Sequence, residues 1–105
     1  MGAFAVGDVV LITFPYADFS KFKKRPALVV GRAEFNNLIL CQITSKAETS
    51  KRALLLTDQD FRVGSLHLDS YIRPDKLFTV EAAIIEKTMG RLHRQPTQTV
   101  LSHVR

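Results

Sequence analysis

The chain has 105 residues and a mass of 11.8 kDa, enough for a single domain over residues 1–105 with one core. Its 46% apolar and 24% charged residues exclude disorder; no apolar run reaches the ~18–20 residues of a membrane span, no basic flank marks a signal peptide, and one cysteine, Cys41, excludes a disulfide framework and points to a reducing cytoplasm. With 15 Lys and Arg against 10 Asp and Glu, the net charge is +5 and the pI about 9.7, a field that suits a polyanion, whether nucleic acid or an acidic protein.

In chain order, Val9 to Phe14 is short, β-branched and aromatic, led in by Gly7-Asp8 and ended by Pro15, which predicts a strand. Tyr16 to Arg25 is polar and basic and reads as a loop. Pro26 opens a second strand through Val30, proline being tolerated at the first position. Asn36-Asn37 suits a tight turn because Asn tolerates positive φ, and Leu38 to Ile43 is then a third strand hairpinned to the second. Residues 44–51 form a second polar loop, and Ala53 to Leu56 a fourth strand. Thr57 to Asp60 is a turn or one short helical turn, and Gly64 breaks the chain before a short apolar stretch at Leu66 and Leu68. Ser70 to Arg73 is a fifth strand stopped by Pro74, and Leu77 to Val80 a sixth. Residues 81–89 suit either a helix or a strand, with Gly90 as punctuation. From Pro96, Val100, Leu101 and Val104 are spaced for one face of a helix. Short strands separated by frequent turns predict a small, mainly antiparallel β-barrel with a C-terminal helix, since closure removes exposed sheet edges.

The residues that carry chemistry are few. His67, His93 and His103 lack metal-ligand spacing, and Cys41 has no partner cysteine, so no metal or cofactor is expected. Cys41 sits in an apolar strand and reads as core, and Asp58 and Asp60 read as turn formers. Two polar loops remain, one ending at Lys23-Lys24-Arg25 and one beginning at Thr44-Ser45-Lys46. On the proposed hairpin Arg25 lies 11 residues before Asn36 and Thr44 lies 7 after Asn37, so a bulge or a longer turn must bring them level. Level, they converge a guanidinium and a hydroxyl on one phosphate, Arg offering forked donors and Thr one more. The other reading of the same residues is a solvated basic loop and an ordinary strand-edge threonine.

Gly7-Asp8-Val9-Val10-Leu11-Ile12, Phe14-Pro15, Lys24-Arg25-Pro26-Ala27-Leu28-Val29-Val30, Gln42-Ile43-Thr44-Ser45, Ser70 through Thr79 and Met89-Gly90-Arg91-Leu92 follow in order over roughly residues 6–92. This run resembles the PemK/MazF family of toxin endoribonucleases. The resemblance implies an SH3-like antiparallel barrel that forms a homodimer and cleaves single-stranded RNA at short sequences without metal. It also implies a cognate antitoxin whose acidic segment blocks the RNA groove. It assigns cleavage to Arg25 and Thr44, while Ser70 matches a family-typical serine of structural role. The chain departs from the family before the Arg-Pro motif, where many members carry an acidic residue and a glycine and this chain has Asp18 to Lys24 with Ser20 five positions ahead of Arg25.

In such a reaction Arg25 suits stabilisation of phosphorane charge, not proton removal, since its pKa exceeds ~12. Thr44 positions a phosphate oxygen. Ser20, Lys21, Lys23, Lys24, Ser45 and Lys46 are the expected RNA contacts, and Phe19 or Phe22 either stacks a base or packs beneath the loop. The alternative is a non-catalytic toxin on the same barrel, of the gyrase-poisoning type, because fold alone does not decide activity.

Overall fold

The computed structural model describes residues 4–15, 22–46 and 51–104. Seven antiparallel strands form one curled sheet, β1 (Asp8–Pro15), β2 (Phe22–Ala33), β3 (Asn37–Thr44), β4 (Leu54–Leu56), β5 (Phe61–Gly64), β6 (Ser70–Glu81) and β7 (Ile85–Leu92), closed by helix α1 (Arg94–His103). Their lateral order is β4-β6-β3-β2-β1-β7-β5. The predicted mainly-β class with a C-terminal helix is therefore what the chain adopts.

The inner strands carry unbroken apolar runs because both faces are covered. Val9, Leu28, Cys41 and Ile43 pack with Leu56, Phe61, Ile72, Leu92 and Val100 of α1. On the opposite face Val10, Ile12, Ala27, Val29, Leu38, Leu40 and Ile85 form a second cluster, flanked by Phe4, Phe78, Val80 and Ala82. Burying one large aliphatic side chain in either cluster is worth ~1.5–3 kcal/mol. The edges are handled differently: β4 and β5 are only 3 and 4 residues long, and short edges resist further pairing.

Several local expectations change. The second strand starts at Phe22, so Lys24 and Arg25 stand in β2, opposite Thr13 and Ile12 of β1, and Pro26 is interior. The partner strand β1 is long enough to hold that basic segment in a ladder, which outweighs its loop-like composition. The turn comprises Glu34 to Asn36, with Phe35 and Asn36 at φ 61° and 62°, and Asn37 already begins β3. The fifth and sixth strands are one. Arg73 faces Gln42 and Leu77 faces Cys41, so residues 74–76 bulge out and Pro74 needs no ladder partner for its missing N–H. The ambiguous segment 81–89 resolves into a 3-10 turn, Ala82–Ile84, and strand β7. Gly90 lies inside that strand, and the apparent break at Gly64 ends β5, a strand the composition of Phe61 to Gly64 does not announce.

Gly64 and Gly90 face each other across β5 and β7 for a steric reason. A Cβ on Gly90 would lie 2.4 Å from the Val63 carbonyl oxygen, and one on Gly64, at φ +77°, 2.2 Å from the Met89 carbonyl oxygen. At the other margin of β7, Asp8 is buried and accepts hydrogen bonds from the Ala5 N–H at 2.9 Å and the Arg91 Nε at 2.7 Å. No helix among the described residues is long and apolar enough to cross a membrane.

Candidate functional site

The β2–β3 hairpin decides the site. Its ladder runs Leu28 to Cys41 and Ala27 to Gln42, and Arg25 and Thr44 each lie two residues beyond that last pair, where Arg25 pairs with Ile12 of β1 and Thr44 with Tyr71 of β6. The sequence called for a bulge or a longer turn, and the structure has a turn of three residues centred on Phe35 together with one extra residue, Val30, between Val29 and Gly31. Beyond Ala27–Gln42 the β2–β3 ladder ends, and there a concavity of about 360 Å³ opens. Lys24, Arg25 and Pro26 line it from β2, Ile43 and Thr44 from β3, and Ser45 from the residue after it.

Thr44 is buried at 6% exposure, and its Oγ1 accepts the Lys46 N–H at 3.2 Å. That bond uses an acceptor lone pair and leaves the hydroxyl proton as a donor. Arg25 is half-buried, and Lys24, Ser45 and Lys46 are exposed. The Lys24 ammonium lies 2.9 Å from Glu86 of β7. The Thr13 hydroxyl also donates to Glu86, and this bond first, with Lys24 second, holds its carboxyl below the ordinary value of 4.5.

Of the sequence-derived candidates, Lys24, Arg25, Thr44 and Ser45 meet in one concavity. Lys46 flanks it through its backbone bond to Thr44. Lys23 lies on β2 with its backbone opposite Phe14. Ser20, Lys21 and Phe19, and with them most of the departing segment, lie outside the described residues.

The sequence reading missed the apolar half of the lining: Leu11 of β1, Met89 of β7, and Leu66 and Leu68 ahead of β6. The signal was present in the alternation of Leu66 and Leu68 between Gly64 and Ser70, which the missed strand β5 left unattached. Ser70 also lines the concavity; it is buried, and its hydroxyl donates to the Leu68 carbonyl at 3.3 Å, holding that wall. Among the described lining residues the polar groups are Lys24, Arg25, Thr44, Ser45 and Ser70, which can stabilise charge and position a phosphate. Among the described residues no three His, Cys, Asp or Glu side chains gather as metal ligands. Cys41 stands apart in the core, its thiol pushed up to about 12 by burial and then by the Asp75 charge.

A family described as PemK-like, MazF-like toxin of type II toxin-antitoxin system matches residues 5–105. An endoribonuclease solved in complex with its cognate antitoxin, from a mycobacterial species, superposes with a TM-score of 0.71 at 15% identity, over 99% of this chain and 90% of that one. The Mycobacterium tuberculosis toxin MazF-mt6 gives 0.68 at 16% identity, over 92% and 90%. MazE–MazF from Deinococcus radiodurans gives 0.71 at 20% identity, over 97% and 88%. At these identities the likeness is one of fold. No curated protein matches the chain.

Proposed function

The chain belongs to the PemK-like, MazF-like toxins of type II toxin–antitoxin systems, and from that premise we propose that it is a sequence-specific endoribonuclease that cuts single-stranded RNA without metal. The observation that supports this most is the pairing of Arg25 and Thr44, drawn from two strands to one basic-edged concavity of about 360 Å³. A ribose 2′-hydroxyl gives up its proton as its oxygen bonds to the adjacent phosphorus. The bond from phosphorus to the 5′-oxygen breaks, and that oxygen takes up a proton, leaving a 2′,3′-cyclic phosphate and a 5′-hydroxyl. Arg25 neutralises charge on the phosphorane, and Thr44 donates to a non-bridging oxygen. Ser20, Lys21, Lys23, Lys24, Ser45 and Lys46 bind the strand around the cleaved bond.

The same reading makes the protein a cytoplasmic homodimer held silent by an acidic cognate antitoxin. The two solved complexes with antitoxin chains support that partner class, and the net charge of +5 supplies the field for it. The test is incubation of purified protein with a long RNA in EDTA. Discrete fragments ending in cyclic phosphate are the expected result. Intact RNA together with arrested DNA supercoiling would make the chain a gyrase-poisoning toxin instead.

A further inference from the structure

Met89 is the extra residue of a bulge in β7: Val9 of β1 faces Gly90 and Val10 faces Thr88, leaving Met89 without a partner on that strand. Bulges re-aim side chains, and this one places Met89 in the lining of two concavities at once. One is the site of Arg25 and Thr44. The other, about 490 Å³, lies against β5 and β7 and is lined, besides Met89, by Asp8, Arg62, Val63, Thr88, Gly90 and Arg91. Met89 is the lining residue the two share. Leu66 and Leu68 wall the first, and Val63, 61% exposed, the second.

The cations of the second concavity have distinct roles. Arg62 is exposed and makes no ion pair among the described residues, so it adds net positive charge. Arg91 is tied through Nε to the buried Asp8 carboxylate at 2.7 Å. That partner offsets its charge but fixes the guanidinium, leaving the two terminal amino groups as oriented donors. Alternating cations with apolar surface between them match a single-stranded nucleic acid, whose phosphates repeat along a chain of stackable bases.

We propose that Arg62 and Arg91 form a second phosphate-binding subsite, so that the RNA strand runs from Arg25 and Thr44 over Met89 to the β5–β7 edge. This rests on the reading of the first concavity as an RNA-cleaving site. The subsite contacts phosphate and apolar base faces, so it adds affinity without choosing sequence.

The probe is a fluorescently labelled, fully 2′-O-methylated single-stranded RNA, which binds but cannot be cut, measured by anisotropy over a salt series. Arg62→Gln should weaken binding several-fold and lower the slope of log affinity against log salt by ~0.7, the value of one lost phosphate contact on a single strand. Arg91→Lys keeps the charge beside Asp8 but removes the fork, and should weaken binding with little change of slope. In cleavage of long RNA, Arg62→Gln should raise KM and leave kcat near wild type, whereas Arg25→Ala should lower kcat. Wild-type affinity and slope in Arg62→Gln, with Arg25→Ala still inactive, would overturn the subsite and leave the cleavage reading standing. Absence of cleavage by the wild type, with the slope still falling in Arg62→Gln, would overturn the cleavage reading and keep the subsite. Weakened binding of poly-glutamate but not of RNA would give this surface to an acidic polypeptide and overturn the proposal. A change of mass by light scattering in Arg62→Gln would give it to a second copy, with the same consequence.

Discussion

Arg25 and Thr44 differ in what their loss does to the fold. Arg25 is half-buried within β2 and belongs to neither core cluster, so Arg25→Ala should slow cleavage by ~10²–10³, the loss typical of one transition-state donor, and move Tm by little. Thr44→Val should also slow cleavage, but it leaves the Lys46 N–H without its acceptor and so should cost ~1 kcal/mol of stability, measurable by urea titration. Equal rates for Arg25→Ala and wild type, measured on the same RNA, would remove Arg25 from the site. Cys41 illustrates a reactive residue type made inert by position: with its thiol at about 12 and no exposed surface, it should resist a thiol reagent at pH 8 and react only in denaturant. Labelling of native protein at the unfolded rate would contradict its place in the core.

At the scale of elements, the β5–β7 contact depends on the absence of two side chains. A Cβ on Gly90 would press on the Val63 carbonyl and on the Phe61 ring at 2.8 Å, and neither the backbone nor a ring 8% exposed can yield easily. Gly90→Ala should therefore destabilise the protein by several kcal/mol, or separate β5 from the sheet and raise hydrogen exchange at Phe61 to Gly64. Unchanged stability with unchanged exchange would show that the strands have room to spare. The β2–β3 hairpin is the other deciding element. Its single bulge at Val30 sets the register in which Arg25 and Thr44 each lie two residues beyond the Ala27–Gln42 pair, so the site depends on a position far from its chemistry.

Two carboxylates couple the whole molecule to pH. Glu86 is held below its ordinary 4.5 by Thr13 and then Lys24, and Asp75 below 3.8 by its hydrogen bond from Arg73, 2.8 Å away. A folded-state pKa below the unfolded one means that the unfolded chain binds more protons in that interval. The resulting stability is full above about pH 4.5 and is lost as pH falls through the two lowered values. The urea midpoint should accordingly drop as pH is lowered from 5 to 3, and Glu86→Gln with Asp75→Asn should flatten that dependence. An identical acid slope in the double variant would place the sensitivity elsewhere. Both groups are exposed, so high salt should also shallow the slope.

The inner strands, the hairpin, the C-terminal helix and the buried cysteine are legible from the chain alone, because each rests on local apolar patterning that tertiary packing does not reverse. So are Arg25 and Thr44 as a pair at the open end of one hairpin, together with the requirement for a bulge or longer turn. That both apply, a turn centred on Phe35 and a β-bulge at Val30, is a matter of tertiary structure, because neither leaves a mark in composition. The same holds for the basic segment at Lys24, strand rather than loop once β1 lies alongside it, and for Pro74, tolerated within β6 because a bulge absorbs its missing donor. The apolar lining, Leu11, Leu66, Leu68 and Met89, comes from three separate stretches of chain that meet only when the sheet curls. Periodicity reads neighbours along the chain; a concavity is made of neighbours across it, and that is the part of the site the fold alone supplies.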